Sequence, residues 1–72
     1  MNLYDVVIYA ENYSMLHRKD SMEKCLAGCR RRVREKSDMQ ILPRAWDKAI
    51  TAAITACYPE EGRRSIRMGA WE

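Results

Sequence analysis

One stretch of the sequence decides the fold: residues 20–36, which read DSMEKCLAGCRRRVREK. Its apolar residues recur at spacings of three and four, which places them on one face of a helix. Asp20 precedes this run and Glu23 follows it three positions later, a pattern that resembles a capping box and predicts a helix start with Asp20 as the N-cap. Ser37 and Asp38 are expected to close the helix after about Lys36. The apolar face comprises Met22, Cys25, Leu26, Cys29 and Val33.

A second helix is predicted after Pro43, because a proline at a first helical turn has no amide hydrogen to lose and already has a helical φ. The helix runs from Arg44 to about Tyr58. Pro59 ends it, since the residue before a proline is pushed out of the helical region. Its apolar stripe comprises Trp46, Ile50, Ala53, Ile54 and Cys57.

The first seventeen residues fit two structures. Val6 to Tyr9 favour a strand by propensity, whereas a helical stripe is formed by Leu3, Val6, Val7, Ala10 and Tyr13. We favour a helix, because residues 4–16 contain neither glycine nor proline and exceed the usual length of a strand. Asn2 followed by Asp5 is a suitable helix start. The alternative is an α+β domain in which a strand at residues 3–9 pairs with a short strand at residues 65–71.

The length of the chain limits its architecture. A chain of 72 residues fits one small domain, residues 1–72, which buries only about 60% of the surface that its unfolded form exposes. Apolar residues make up 47% of the sequence and charged residues 32%, a balance typical of a folded domain. The expected fold class is mostly α, a small helical hairpin or three-helix domain with a C-terminal tail. No apolar run is long enough to span a bilayer and no secretory signal is evident, so we expect a cytoplasmic protein without a membrane partner.

Cysteine and histidine are residue types that often serve in catalysis or bind metal, but their pattern in this chain gives little support for either function. Three cysteines are an odd number, which excludes a complete intramolecular disulfide framework and favours reduced thiols. His17 with these cysteines formally supplies four zinc ligands, but structural zinc sites usually pair ligands two to four residues apart and repeat the pairing. The cysteines lie on the predicted apolar stripes, where free cysteine behaves as a small hydrophobe. We therefore expect no metal, no cofactor and no enzymatic activity.

Charge is segregated along the chain. Residues 17–36 carry eight basic and three acidic side chains, whereas the whole chain has a net charge of +3. Cations near a helix C-terminus complement its dipole, which accounts for part of this run without any ligand. The basic side chains that the helix dipole does not explain indicate an alternative function. In this alternative, the chain is a nucleic-acid-binding regulator that contacts phosphates through the basic helix at residues 21–36. The candidate contacts are Arg30, Arg31, Arg32, Arg34 and Lys36.

The favoured function is protein binding. The tail at residues 63–72 alternates basic, apolar and aromatic side chains, and arginine, methionine, tyrosine and tryptophan are enriched at protein interfaces. In its size the chain resembles the compact accessory regulators that phages and mobile elements encode. We expect a non-enzymatic homodimer that binds and modulates or inhibits another protein by stoichiometric binding. The candidate contacts are Arg30, Arg31, Arg34, Arg64, Arg67, Met68 and Trp71.

Overall fold

The computed structural model describes residues 1–59, which form three α-helices: α1 (Leu3–Leu16), α2 (Met22–Ser37) and α3 (Arg44–Cys57). No strand is present in this part of the chain. The mostly helical prediction is therefore confirmed, in its three-helix form.

The alternative α+β architecture is wrong, because residues 3–9 belong to α1. Its second strand, at residues 65–71, lies outside the described residues, as does the predicted docking tail at residues 63–72. The strand propensity of Val6 and Val7 is overridden by packing, since Val6 and Ala10 are fully buried one helical turn apart on the same side of α1.

A reciprocal capping box fixes the start of α1, as the sequence predicts. The Asn2 side chain accepts a hydrogen bond from the backbone amide of Asp5 at 2.9 Å. The Asp5 carboxylate accepts one from the backbone amide of Asn2 at 3.2 Å. Two of the amides that a helix start leaves without intrahelical partners are satisfied in this way.

The start of α2 differs from the prediction by one residue. Its N-cap is Ser21, whose hydroxyl accepts from the backbone amide of Lys24 at 3.2 Å, and the assignment of Asp20 as N-cap is wrong. The Asp20 carboxylate lies 3.5 Å from Nδ1 of His17 instead. At the other end Asp38 adopts a left-handed conformation with φ 58°, which stops the helix where the sequence predicts.

Helix α3 begins at Arg44 after an extended Pro43 and ends at Cys57, one residue before the predicted end. Tyr58 then ties the end of α3 to the connection between α1 and α2. Its hydroxyl lies 2.9 Å from the backbone carbonyl of Asp20 and 3.2 Å from that of His17, and donates toward both.

The core lies where the three helices meet, and α1 packs most extensively on α3. One polar side chain is buried in it: the Ser14 hydroxyl donates to the carbonyl of Ala10 at 3.0 Å and lies 3.8 Å from the Cys25 thiol. Cys57 was expected in the core with the other cysteines, but it is exposed because it lies in the last turn of α3. The fully buried apolar residues are Val6, Ala10, Cys25, Cys29, Val33, Ile50 and Ile54.

Candidate functional site

The basic run of α2 does not form one surface, and Arg30 shows why. Its Nε donates to Oδ1 of Asp47 at 2.6 Å, and its Nη2 donates to the hydroxyl of Thr51 at 2.9 Å. Both partners lie on α3, so the guanidinium joins α2 to α3. Arg30 is a candidate contact for a protein and for nucleic acid, but two of its three nitrogens donate to partners within the fold.

Lys36 is also engaged within the fold. Its ammonium lies 5.4 Å from the centroid of the Tyr9 ring on α1, within the range of a cation–π interaction. Lys36 therefore connects α2 to α1, on the side of α2 where Arg32, one helical turn earlier, also lies.

The remaining candidate arginines, Arg31, Arg32 and Arg34, lie together along an open groove of about 570 Å³ between the C-terminal end of α1 and α2. We call it the basic groove. Ala27 and Gly28 lie between Lys24 and Arg31 on α2, so small side chains separate the two cations. The basic groove is lined by Tyr13, His17, Asp20, Lys24, Ala27, Gly28, Arg31, Arg32 and Arg34.

Aromatic rings form the α1 side of the basic groove. The rings of Tyr13 and His17 stack with centroids 4.0 Å apart and planes inclined by 22°. Tyr13 lies against Gly28, where a Cβ would lie 3.2 Å from Cζ and would overlap the hydroxyl oxygen. A residue without a side chain at position 28 therefore allows the Tyr13 ring to lie close to α2, and that ring supports His17.

The electrostatics of the basic groove are dominated by cations. Four basic side chains line it against one carboxylate, that of Asp20, which lies 3.5 Å from Nδ1 of His17. A second, shallower depression of about 410 Å³ adjoins it, shares Arg31 and Arg34, and also contains Glu35 and Asp38. Glu35 and Asp38 therefore add negative charge at the end of the groove that holds Arg31 and Arg34, and Asp20 lies at the end that holds Lys24.

A second candidate surface lies on the side of α1 that points away from the core. Tyr4, Ile8 and Met15 fall within about 40° of one another around the helix axis. They are 72%, 40% and 68% exposed, respectively, whereas Val6 and Ala10 on the opposite side are fully buried. We call this surface the outer face of α1. Glu11 and Asn12 are also exposed on this side, so the outer face of α1 combines three large apolar side chains with one charged and one amide side chain.

The thiols divide into two groups. Burial, aided by the neighbouring Cys25 and opposed by Arg30, raises the pKa of the Cys29 thiol from its ordinary value of 9.0 to about 12. A thiol with so high a pKa stays protonated at neutral pH and is a poor nucleophile. Cys57 is exposed. Within residues 1–59, no group of three or more His, Cys, Asp or Glu side chains is arranged to hold a metal ion.

Four of the candidate contacts named from the sequence lie outside the described residues: Arg64, Arg67, Met68 and Trp71. Conversely, sequence reasoning did not select six residues that line the basic groove, among them Tyr13, His17 and Lys24. A signal for these three exists, because Tyr13 and His17 are four residues apart at a helix end and Lys24 is two helical turns from Arg31.

Comparison with family models, with curated proteins and with solved structures finds no match to this chain. None of the helices in residues 1–59 has both the length and the apolar character that crossing a membrane requires. Function is therefore inferred from the basic groove and from the outer face of α1.

Proposed function

We propose that this chain is a small non-enzymatic regulator that acts by stoichiometric binding to other proteins, and that it forms a homodimer through the outer face of α1. The observation that carries the proposal is the exposure of three large apolar side chains on the side of that helix opposite the core. Val6 and Ala10 are buried, while Tyr4, Ile8 and Met15 on the opposite side are exposed. A helix on the surface of a monomer normally has a polar outer side, and exposed apolar patches mark interaction sites.

The charges around α1 favour a second copy of the chain, in antiparallel orientation, as the occupant of this face. Asp5 lies in the first turn of α1 and the last turn has no basic residue. Arg18 and Lys19 follow directly after the helix and are exposed. In an antiparallel pair, the acidic start of one α1 faces the basic end of the other. A two-fold axis between them makes each contact occur twice, as in most homodimers.

The apolar contribution of such a pair is substantial for a chain of this size. Full burial of a side chain such as Ile8 or Met15 contributes about 1.5–3 kcal/mol. The two-fold axis doubles the contribution, because each residue is buried in both copies. Loss of translational and rotational freedom opposes association, and we expect a dimer in the micromolar range.

Regulation of a target protein would follow from occlusion of the target's surface by the dimer. Residues of the outer face of α1 do not line the basic groove, so self-association leaves that groove open. The proposed contacts of the tail with a target, Arg64, Arg67, Met68 and Trp71, form part of this proposal. Arg31 and Arg34 are its candidates for steering an acidic target, because charges at the rim of an interface mainly accelerate association.

The test is the oligomeric state of the full chain measured by sedimentation equilibrium from about 1 to 200 μM, a range that brackets the expected affinity. The wild type should show a concentration-dependent dimer. Ile8→Glu replaces an apolar side chain in the middle of the outer face of α1 by a second carboxylate beside Glu11, and should give a monomer at every concentration. Gln40→Glu adds the same charge at an exposed position between α2 and α3 and should leave the dimer intact. A wild type that is monomeric at the highest concentration would refute the proposed dimer.

A further inference from the structure

The cations of the basic groove are arranged along its length. Lys24 and Arg31 are seven residues apart on α2, about 10 Å along the helix axis, and Arg32 follows directly. All three are exposed and line the groove. A chain of anionic groups that follows the groove would therefore meet successive cations.

Small residues keep the space between these cations open. Ala27 and Gly28 lie between Lys24 and Arg31 and also line the groove. Ala27 is exposed and carries only a methyl group, so an extended backbone can approach the helix there, while the Tyr13 ring covers Gly28.

The aromatic side of the groove provides a surface for stacking. One side of the His17 ring lies against Tyr13, with centroids 4.0 Å apart. The side chain of His17 is still 36% exposed, and it lines the groove. Tyr13 is in turn held against Gly28, so the pair forms a supported platform beside the cations.

We propose that the basic groove binds single-stranded nucleic acid, with the phosphates at Lys24, Arg31 and Arg32 and one base stacked on His17. Single-stranded nucleic acid is recognised by a cationic track for the backbone together with aromatic rings for the bases. Both are present here within one groove. The inference goes beyond the proposed dimer and is independent of it, because the outer face of α1 contributes no residue to the groove.

The platform is the reason to choose a single strand over a duplex. A base within a duplex has both faces covered by its neighbours and cannot stack on a protein ring without leaving the helix. An unpaired base needs no such step. A site built from cations alone would bind both forms through their phosphates.

The test is fluorescence anisotropy of a labelled oligothymidine of about 15 nucleotides, a length within the range that small single-strand binding modules cover. The same chain is titrated with a labelled hairpin duplex that has the same number of phosphates. Salt is varied from about 50 to 200 mM, over which phosphate-driven binding weakens steeply. We expect the single strand to bind more tightly than the duplex, with a steep salt dependence. Binding of the duplex as tight as that of the single strand, or no binding at about 50 mM salt, would overturn the proposal.

The cations are tested by the double variant Arg31→Ala/Arg32→Ala. It removes two phosphate contacts, so the slope of log affinity against log salt should become shallower by about 1.4. The matched control is Arg44→Ala/Lys48→Ala, which removes two exposed charges from α3 outside the groove. Its affinity should stay within about twofold of the wild type, since those side chains contact no phosphate. Equal losses in the two double variants would show a general charge effect and would contradict the site.

The platform is tested by His17→Ala and His17→Phe. Loss of one stacked base should weaken oligothymidine binding about tenfold in His17→Ala. His17→Phe restores a ring and should recover most of that affinity. An unchanged affinity in His17→Ala would refute the stacking contact. Sedimentation of both variants should still show the wild-type oligomeric state, which separates failure of the groove from failure of the dimer.

Discussion

Arginine side chains lie on two sides of α2 and have different roles on each side. Arg30 donates to Asp47 and Thr51 on α3, whereas Arg31, the next residue, is exposed in the basic groove. Consecutive residues on a helix point about 100° apart, so a run of arginines in the sequence is divided by the helix into separate groups. A cluster of charge along a chain is therefore not yet a site. The positions of the other helices decide which of its members are free to bind a ligand.

The division extends over the whole of α2. One side, which we call the packed side, consists of the buried residues Cys25, Cys29 and Val33 with Arg30 beside them. The other side lines the groove and contains Lys24 and Arg31. Substitutions on the packed side should change stability, and substitutions on the groove side should change binding.

The largest expected effect is a pH dependence of stability that comes from Cys29. Its pKa is raised to about 12 in the folded protein, chiefly by burial, so the folded state keeps a proton that the unfolded state loses at about pH 9. The stabilisation is complete below that pH and is lost as the pH rises from 9 to 12, by on the order of 3 kcal/mol. Denaturant unfolding of the wild type and of Cys29→Ala at a series of pH values measures it. The variant should show the shallower decline with pH, and parallel declines would contradict the assignment to Cys29.

Burial of Tyr9, with a smaller contribution from Cys29 nearby, also raises the pKa of that phenol. Its ionisation destabilises the fold in the same direction at high pH. The comparison between the wild type and Cys29→Ala is therefore made on the difference in slope and not on either curve alone.

Next in size is the effect of Val33→Ala. Val33 is fully buried, and removal of two methyl groups from the core should reduce the free energy of unfolding by about 2 kcal/mol. The adjacent Arg32→Ala changes an exposed residue and should stay within about 0.5 kcal/mol of the wild type. Urea unfolding of both variants provides the measurement. A loss in Arg32→Ala as large as that in Val33→Ala would break the distinction between the two sides of α2.

A smaller difference in stability is expected between variants of the two neighbouring arginines, Arg30 and Arg31. Arg30→Ala should reduce the free energy of unfolding by about 1 kcal/mol, because it removes two hydrogen bonds to α3 that are partly exposed to solvent. Arg31→Ala should leave stability unchanged. In oligothymidine titrations the order reverses, and Arg31→Ala should weaken binding more than Arg30→Ala does. The same order in both measurements would mean that the two residues share one role.

The smallest expected effect is that of Lys36→Met, which keeps much of the side-chain volume and removes the charge above the Tyr9 ring. Loss of a partly exposed cation–π contact should reduce the free energy of unfolding by about 0.5 kcal/mol. Thermal unfolding beside wild type would show this as a small drop in Tm. A larger effect on oligothymidine affinity than that of Arg31→Ala would place Lys36 in the nucleic-acid site after all.

The helices were predictable because their apolar residues follow the helical period. In α2 the spacing of Cys25, Cys29 and Val33 predicts the buried side, and all three are fully buried. For α1 the residues Val6 and Val7 were ambiguous, and the Asn2 and Asp5 pair, which forms the predicted cap, was the more informative signal. Local patterns of this kind specify an element because the interactions that form it lie within a few residues.

The features that the sequence did not predict correctly have two kinds of cause, one local and one non-local. Asp20 and Ser21 are adjacent and both are good N-caps, and the side chain of Asp20 lies against His17 while Ser21 forms the cap. The engagement of Arg30 could not be predicted, because its partners Asp47 and Thr51 lie on another helix, 17 and 21 residues away. The basic groove likewise depends on how α1 meets α2, which periodicity alone does not specify.

The contact made by Tyr58 has a consequence for whatever follows it in the chain. Its hydroxyl lies against the carbonyls of His17 and Asp20, two residues whose side chains line the basic groove. Any segment attached after Tyr58 is thereby tethered beside that groove. Over a short connection, tethering corresponds to an effective concentration on the order of millimolar. Arg63, Arg64 and Arg67 follow within ten residues of the sequence, so we expect the full chain to bind oligothymidine more tightly than a chain that ends at Pro59.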